Sequence, residues 1–250
     1  MTNQPLVSVI TACYNGADFI EHTIKSVQNQ TYANWELLII DDFSKDNSTS
    51  IIKNYCTLDS RIKLFENIKN RGAGYTRNVG VEASVGRFIA FLDADDQWYP
   101  EKLEEQISFM LSNNFSLTFT AYDTIQENSL KKGRREALES VNYKKMLVNN
   151  YLGCLTVIYD KDKLGKSYFP EIRKRQDWAL WLQIMRSGII AHGINKPLAL
   201  YNKRKDSISR NKVKLLKYNW TIYRECEKFS IVKSIILISQ LVMFKFYKSI

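Results

Sequence analysis

Short apolar runs alternate with segments of helical periodicity along the first 115 residues. Continuous runs of β-branched and other apolar residues predict four strands, over residues 6–13, 35–40, 62–65 and 87–92. Apolar residues at helical spacing predict the intervening helices, over residues 19–27, 51–55, 75–83 and 100–111. Strands and helices that alternate in this way build βαβ units, so we predict an α/β fold with a mostly parallel sheet flanked by helices.

The pattern is less regular beyond residue 115. It predicts strands over residues 116–121, 155–159 and 198–201 and a strong helix over residues 177–185. Residues 131–136 are so basic that we expect a charged turn or mobile loop there. A last apolar segment, residues 231–244, predicts a C-terminal helix that is too short and too interrupted to span a bilayer. We therefore divide the chain into residues 1–115, 116–202 and 203–250.

The charge of the chain is concentrated in the last of these segments. Residues 203–250 hold 12 basic and 3 acidic side chains, whereas residues 1–202 hold 24 and 23. A nearly neutral body argues against a nucleic-acid-binding fold with a basic face, so no nucleic-acid partner is expected. The basic helical tail either lies on a membrane surface as a peripheral contact or packs on the body. The four cysteines and two histidines have no zinc-site spacing, and the N-terminus has no signal-peptide pattern.

Polar residues gather where the predicted strands end. They occupy residues 11–15, Asp41 with Asp42, and the acidic segment at residues 93–96. Because ligands of parallel sheets bind beyond the carboxyl ends of the strands, these residues form a candidate site. Asp and Asn also suit turns, which is the plainer explanation for the loop residues Asp46 and Asn47.

Asp93, Asp95 and Asp96 place three carboxylates within four residues. Their mutual repulsion is relieved by a divalent cation, and an all-oxygen set favours Mg²⁺ or Mn²⁺ over zinc. Mg²⁺ commonly completes its shell with substrate phosphates, so a diphosphate is the natural partner. The glycine-bearing segment 71–77 is neither a P-loop nor a dinucleotide fingerprint. Either Arg71 or Arg77 faces a phosphate or a base, or the segment is a flexible turn with solvated arginines.

Five ordered motifs carry a resemblance to a known family. They are residues 7–15, 26–32, 36–42, 77–78 and 86–96. Together they resemble the family 2 glycosyltransferases, which have the GT-A fold, closely over residues 5–110. The resemblance continues at residues 176–178, which are similar to the Glu-Asp-Trp segment of that family, with Gln176 in place of the usual Glu. The Gln-x-x-Arg-Trp signature of processive synthases is missing, so one sugar is expected per event.

The resemblance implies a function and a set of site residues. The function is inverting transfer of one sugar from a UDP-sugar to a glycan or lipid-linked acceptor in bacterial surface polysaccharide synthesis, at the inner face of the cytoplasmic membrane. Residues 1–115 would bind the nucleotide-sugar, residues 116–202 would bind the acceptor, and Asp177 would be the general base. The other implied residues bind the donor. Ala12 and Tyr14 would border the base, Asp42 with Asp41 would accept a hydrogen bond from the uracil N–H, and Arg77 would lie near the nucleotide. Asp93 and Asp95 would reach the ribose and the metal, and Asp96 would be a second metal ligand.

Two alternatives remain open. A nucleotidyltransferase would also use an α/β sheet and an aspartate-bound metal, but residues 11–17 contain one glycine and no basic residue to hold a triphosphate. The other alternative is a non-catalytic module that binds nucleotides or membranes. The sequence also leaves dTDP open beside UDP, because the thymine ring has the same N–H. His22 and His192 receive no role.

Overall fold

Ten strands form one sheet in a computed structural model that describes residues 4–126, 132–203 and 212–247. The strands are β1 (Val7–Cys13), β2 (Trp35–Asp41), β3 (Ile62–Glu66), β4 (Phe88–Phe91), β5 (Gln97–Trp98), β6 (Leu117–Gln126), β7 (Lys132–Arg135), β8 (Ser140–Val141), β9 (Ile158–Asp160) and β10 (Ala191–Lys203). The α-helices are α1 (Ile20–Gln28), α2 (Ser48–Leu58), α3 (Ala73–Ala83), α4 (Lys102–Ser112), α5 (Tyr143–Val148), α6 (Lys161–Leu164), α7 (Gln176–Met185), α8 (Lys212–Thr221) and α9 (Ile231–Tyr247). A 3₁₀ turn covers Cys154–Thr156, and a π-helical turn covers Ile222–Cys226.

The main path of the sheet runs β3-β2-β1-β4-β9-β6-β10-β5. The first four strands are parallel, as the alternation of strands and helices predicts. From β9 onward the sheet is mixed, because β9 runs antiparallel to both β4 and β6. The α/β prediction is confirmed, and the parallel arrangement is confined to the first four strands and the β6–β10 pair.

The expectation of a loop over residues 131–136 was wrong for its described part. Residues 132–135 form β7, which pairs antiparallel with β6, while Lys131 lies outside the described residues. Arg134 reaches across this pair to Asp123 of β6, with 3.2 Å between its Nε and Oδ1. A cross-strand partner thus neutralises part of the charge that suggested a loop.

Two hydrophobic cores lie on opposite faces of the sheet. Strand β2 is buried along its whole length and sends Leu38 and Ile40 to one core and Leu37 and Ile39 to the other. This alternation is the period-two geometry of a strand covered on both sides. The first core also contains Trp178 and Trp181 of α7, which are fully buried and pack against other apolar side chains.

The C-terminal segment packs on this first core. Leu237 and Leu241 of α9 are buried in it, together with Tyr223, whose hydroxyl donates to the carbonyl of Leu147 at 2.5 Å. Basic residues Arg204, Lys205 and Arg210 of the tail lie outside the described residues. Within the ranges described, no helix is both long enough and apolar enough to cross a bilayer.

Candidate active site

A cavity of about 520 Å³ opens beyond the carboxyl end of β4. Asp93 and Asp96 from the segment after β4 line it, together with Arg77 of α3 and Asp177 of α7. Residues 149–155, which include part of the 3₁₀ turn, form another part of the wall, as do residues 173–175 before α7 and Gln176 at its start. The remaining lining residues are Ala73, Tyr122, Arg135, Tyr201 and Leu215. Four of the residues that were predicted from the sequence therefore meet in one cavity, although they come from positions up to 100 residues apart.

Asp177 lies in the first turn of α7 and is half-buried. Its Oδ2 accepts a hydrogen bond from Nδ2 of Asn150 at 3.0 Å, and Leu152 in turn donates its N–H to the Asn150 side-chain oxygen at 3.2 Å. Burial raises the pKa of Asp177, while the backbone N–H of Trp178, the charges of Arg77 and Arg175, and the Asn150 amide offset part of the rise. A fixed carboxylate with a raised pKa that is open to a cavity is suited to accept a proton.

Arg175, rather than Asp177, is the N-cap residue of α7. Its φ of 60° lies in the left-handed region, which is uncommon for a residue with a side chain. No side chain caps this helix, so the carboxylate of Asp177 is not committed to a capping bond at the N-cap position.

Arg77 and Asp93 form a close ion pair, with 2.5 Å between Arg77 Nη2 and Asp93 Oδ1. Burial alone would lower the pKa of Arg77, but the charge of Asp93, its hydrogen bond and the charges of Cys154 and Asp177 together outweigh burial, and the pKa is raised. The guanidinium also stands over the ring of Phe169, 5.3 Å from its centroid. The pair therefore holds a permanent positive charge on one side of the cavity, and Asp93 keeps one oxygen outside this bond.

Asp96 is buried, and its Oδ1 accepts from the backbone N–H of Asn202 at 2.9 Å. Burial raises the pKa of Asp96, and the charges of Asp93 and Asp95 raise it further. Its neighbour Asp95 is partly exposed and is not among the residues that line the cavity. In the part of the chain that the structure describes, no three His, Cys, Asp or Glu side chains are grouped closely enough to hold a metal ion by themselves. An ion bound here would thus rely on one or two carboxylates plus substrate and water oxygens, which suits Mg²⁺ or Mn²⁺.

The other predicted donor residues form a neighbouring group outside this cavity. They lie at the ends of β1 and β2, where Cys13 pairs with Asp41 and the N–H of Asp42 donates to the carbonyl of Cys13 at 2.7 Å. Ala12 is partly buried, and the ring of Tyr14 is 52% exposed, which leaves it accessible for stacking.

Asp41 and Asp42 both bind the protein itself. Asp41 accepts from the N–H of Ser44 at 2.8 Å, while Asp42 accepts from the N–H groups of Arg71 and Gly72 at 2.8 and 2.7 Å. The Asn67 amide also donates to Asp42, at 2.9 Å. A carboxylate has about four acceptor positions, so Asp42 retains about one for a ligand while it holds the loop before α3.

Gln176 occupies the position where Glu is usual in the resembling family. Its Nε2 donates to the carbonyl of Ile172 at 2.5 Å, which folds the segment before α7 back on itself. The same amide lies against Gly74, where an added Cβ would stand 2.6 Å from Nε2. The amide therefore joins α7 to the start of α3 rather than binding Asp177.

Several cavity residues escaped prediction from the sequence. No sequence motif marks Asn150 or Tyr151, because these residues reach the site only through tertiary packing. The basic residues 173–175, by contrast, directly precede Gln176 and Asp177 in the sequence and could have been selected as candidates. Trp98, which follows the acidic segment in the sequence, does not line the cavity. It is buried, and its indole N–H donates to the carbonyl of Leu155, a lining residue, at 2.8 Å.

Comparisons with known proteins agree with this geometry. The family model "Glycosyl transferase family 2" matches residues 8–166. A putative teichuronic acid biosynthesis glycosyltransferase of Bacillus subtilis, TuaG, is 41% identical over 94% of both chains. The Escherichia coli protein WfgD, a UDP-Glc:alpha-D-GlcNAc-diphosphoundecaprenol beta-1,3-glucosyltransferase, is 43% identical over 87% of this chain and 85% of its own. The crystal structure of S. aureus TarS (residues 1–349) with UDP-GlcNAc has a TM-score of 0.71 at 18% identity, over 94% of this chain and 71% of that one.

Proposed function

The chain belongs to glycosyl transferase family 2, and on that premise we propose that it moves one sugar from a UDP-sugar to a hydroxyl of a lipid-linked glycan, with Asp177 as the base. The observation that carries the proposal is the shared cavity of Asp177, Asp93 and Arg77. A base and a donor-binding pair in one cavity meet the requirement that both substrates react at one place.

The substrate classes are supported by the names of the relatives. TuaG is named for teichuronic acid biosynthesis, and WfgD and WfaP of E. coli are named for UDP-Glc and a diphosphoundecaprenol-linked acceptor. TarS was crystallised with UDP and with UDP-GlcNAc. For this chain we infer a UDP-sugar donor, bound by residues 1–115, and a lipid-linked acceptor at the inner face of the cytoplasmic membrane, bound by residues 116–202.

In the proposed reaction the acceptor hydroxyl loses its proton to Asp177 as its oxygen attacks the anomeric carbon of the donor. The bond from that carbon to the diphosphate breaks on the opposite face, so the configuration inverts and UDP leaves. Asn150 holds the carboxylate of Asp177 at 3.0 Å, and Arg77 adds a positive charge that favours its ionised form. A general base typically contributes about 10²–10⁴-fold to such a step.

The donor side is assigned to the residues after β4. Asp93 would contact the ribose, while Asp95 and Asp96 would hold a Mg²⁺ or Mn²⁺ ion. Such an ion supplies Lewis-acid stabilisation of the leaving diphosphate when it is bound. Tyr14 would stack on the base beside Ala12, and Asp42, supported by Asp41, would use its remaining acceptor position for the uracil N–H.

Asp177→Asn tests the proposal. We expect transfer from a UDP-sugar to fall at least about 10²-fold, because the amide accepts no proton, while the affinity for UDP stays within about twofold. Asp162→Asn, at an exposed position of α6, is the matched control and should keep full activity. Wild-type turnover in Asp177→Asn would remove this residue from the mechanism.

The outer face of α9 supports the proposed membrane contact. Ile235, Ile236, Met243 and Phe246 are at least half exposed although the helix is anchored by Leu237 and Leu241. Lys228 and Lys233 stand at its start and would face anionic lipid. Replacing Ile235, Met243 and Phe246 by Asn should release the protein from phosphatidylglycerol vesicles, whereas Ile68→Asn, at an exposed site far along the chain, should not. Equal retention of both variants would contradict the contact.

A further inference from the structure

The cavity carries more positive than negative charge. Five basic and three acidic side chains line it. Arg77 is committed to Asp93, and Lys174 stands over the ring of Tyr218 at 5.8 Å. Arg135, Arg173 and Arg175 form no ion pair with any residue that the structure describes.

Arg175 shows most directly that this charge lacks a partner. Its Nε is buried without a hydrogen-bond acceptor among the described residues, and its guanidinium stands 5.0 Å from the ring centroid of Trp178. Burial lowers its pKa, and the nearby charge of Asp177 offsets only part of that effect. A buried guanidinium N–H without an acceptor is costly, and an anionic ligand with several oxygens would satisfy it.

We propose that Arg135, Arg173 and Arg175 form a phosphate-binding subsite for the diphosphate of the lipid-linked acceptor, distinct from the place where the donor diphosphate lies. The inference rests on the proposed function and adds the residues that recognise the acceptor. Guanidinium groups suit the task, because their planar donors match pairs of phosphate oxygens.

The position of these arginines favours the acceptor over the donor. Arg175 precedes Asp177 by two residues, and the base must contact the acceptor hydroxyl. Under the proposed function the donor diphosphate would lie instead with a metal ion held by the acidic segment after β4. Arg135 lies on β7, close enough for its charge to act on Tyr122 and Tyr151, where it offsets part of the rise in pKa that burial causes.

Tyr151 also connects this wall to the helix proposed to meet the membrane. Its ring packs edge-on against Phe244 of α9, with 6.1 Å between the centroids. The cavity wall and the exposed apolar face of α9 are thus separated by a single pair of rings. A lipid diphosphate needs this arrangement, because its phosphates lie at the surface of the bilayer while its chain stays inside.

The test is calorimetric titration of the full-length protein with decyl diphosphate, in the presence of saturating UDP and Mn²⁺ so that the donor site is filled. We expect the wild type to bind it, and Arg173→Gln and Arg175→Gln each to weaken binding about tenfold. UDP affinity, measured separately, should change less than twofold. Arg175→Lys keeps the positive charge and should lose less affinity for decyl diphosphate than Arg175→Gln. This difference separates a loss of phosphate recognition from misfolding. Arg134→Gln is the matched control, because it lies on the same strand as Arg135 and faces Asp123 instead of the cavity.

Three results would overturn the subsite. They are absence of decyl diphosphate binding to the UDP-saturated wild type, an equal loss in Arg134→Gln, or a parallel loss of UDP affinity in the two variants, which would assign the arginines to the donor. Because binding is measured without turnover, an active Asp177→Asn enzyme would refute the catalytic proposal and leave this result standing.

Discussion

Among the residues that the structure describes, Asn150 donates the one side-chain hydrogen bond that Asp177 accepts, and its removal should shift the pH dependence of catalysis. In Asn150→Ala the carboxylate loses a donor that favours its charged form, so the pKa of Asp177 rises. The base must be ionised to accept a proton. The acid limb of the pH profile therefore moves to higher pH.

The size of the shift follows from the strength of the bond. A hydrogen bond to a charged group contributes about 1.5–3 kcal/mol, and one pKa unit corresponds to about 1.4 kcal/mol. Because Asp177 is only half-buried, water replaces part of the lost hydrogen bond, and we expect the acid limb of the pH profile to move by about one pH unit. Asn150→Asp should shift the limb further, since it keeps an acceptor for the N–H of Leu152 and places a second carboxylate beside Asp177.

The assay is kcat/KM for the acceptor as a function of pH, with UDP-glucose and a GlcNAc-diphosphate lipid, the chemistry named for two relatives. Asn149→Ala is the matched control, because this neighbour also lines the cavity but donates to the Asn150 carbonyl rather than to Asp177. Circular dichroism across the same pH range separates catalysis from unfolding. Superimposable acid limbs in the wild type, Asn150→Ala and Asn149→Ala would refute the tuning of Asp177 by Asn150.

Three further predictions concern the frame of the site. Lys102 is fully buried, and burial lowers its pKa to about 7. Between about pH 7 and the usual lysine range, the unfolded chain therefore binds a proton that the folded protein does not. The free energy of unfolding rises with pH in this range. Lys102→Met should raise the free energy of unfolding at pH 7. Urea titrations should show that this stability advantage over the wild type shrinks by about 1.4 kcal/mol per pH unit toward pH 10. An advantage that stays constant with pH would contradict the prediction. Gly74→Ala should displace the Gln176 amide and reduce turnover, and adding Gln176→Ala to this variant should partly restore turnover. If the losses of the two single variants simply add in the double variant, residues 74 and 176 do not interact. UDP should bind more tightly with Mn²⁺ than without, and Asp95→Asn should abolish the difference; equal UDP affinity in the wild type would count against Asp95 and Asp96 as ligands.

The local pattern of apolar residues was sufficient to predict the strands in the first part of the chain. The runs at residues 6–13, 35–40 and 62–65 became β1, β2 and β3 with ends shifted by one residue at most. All three are parallel, and β1 and β2 are buried almost throughout, so continuous apolar composition identifies them, whereas β3 lies at the sheet edge with only Ile62 buried. The same pattern placed Asp93 and Asp96 at a strand end, and the ordered motifs around them were sufficient to identify the family.

Local pattern was weaker where hydrogen bonds come from distant segments. Residues 155–159 were predicted as one strand, but residues 154–156 form a 3₁₀ turn and only Ile158–Asp160 pair. The reason is that Trp98 donates to the carbonyl of Leu155, and Lys102 and Gln106 donate to that of Thr156. Likewise β10 extends back to Ala191, through a glycine and a proline, because β6 and β8 supply its partners.

The sequence by itself therefore determined the fold class, the family and the separate chemical identities of Asp177, Arg77 and the acidic segment. Only the tertiary structure brought Asn150 to Asp177, buried the Nε of Arg175 without an acceptor among the described residues, and packed the tail on the core while exposing one face of α9. The physical reason is that strand and helix formation depend on neighbours along the chain. The pKa of a carboxylate and the pairing of a buried cation depend instead on groups that only folding brings within a few ångströms.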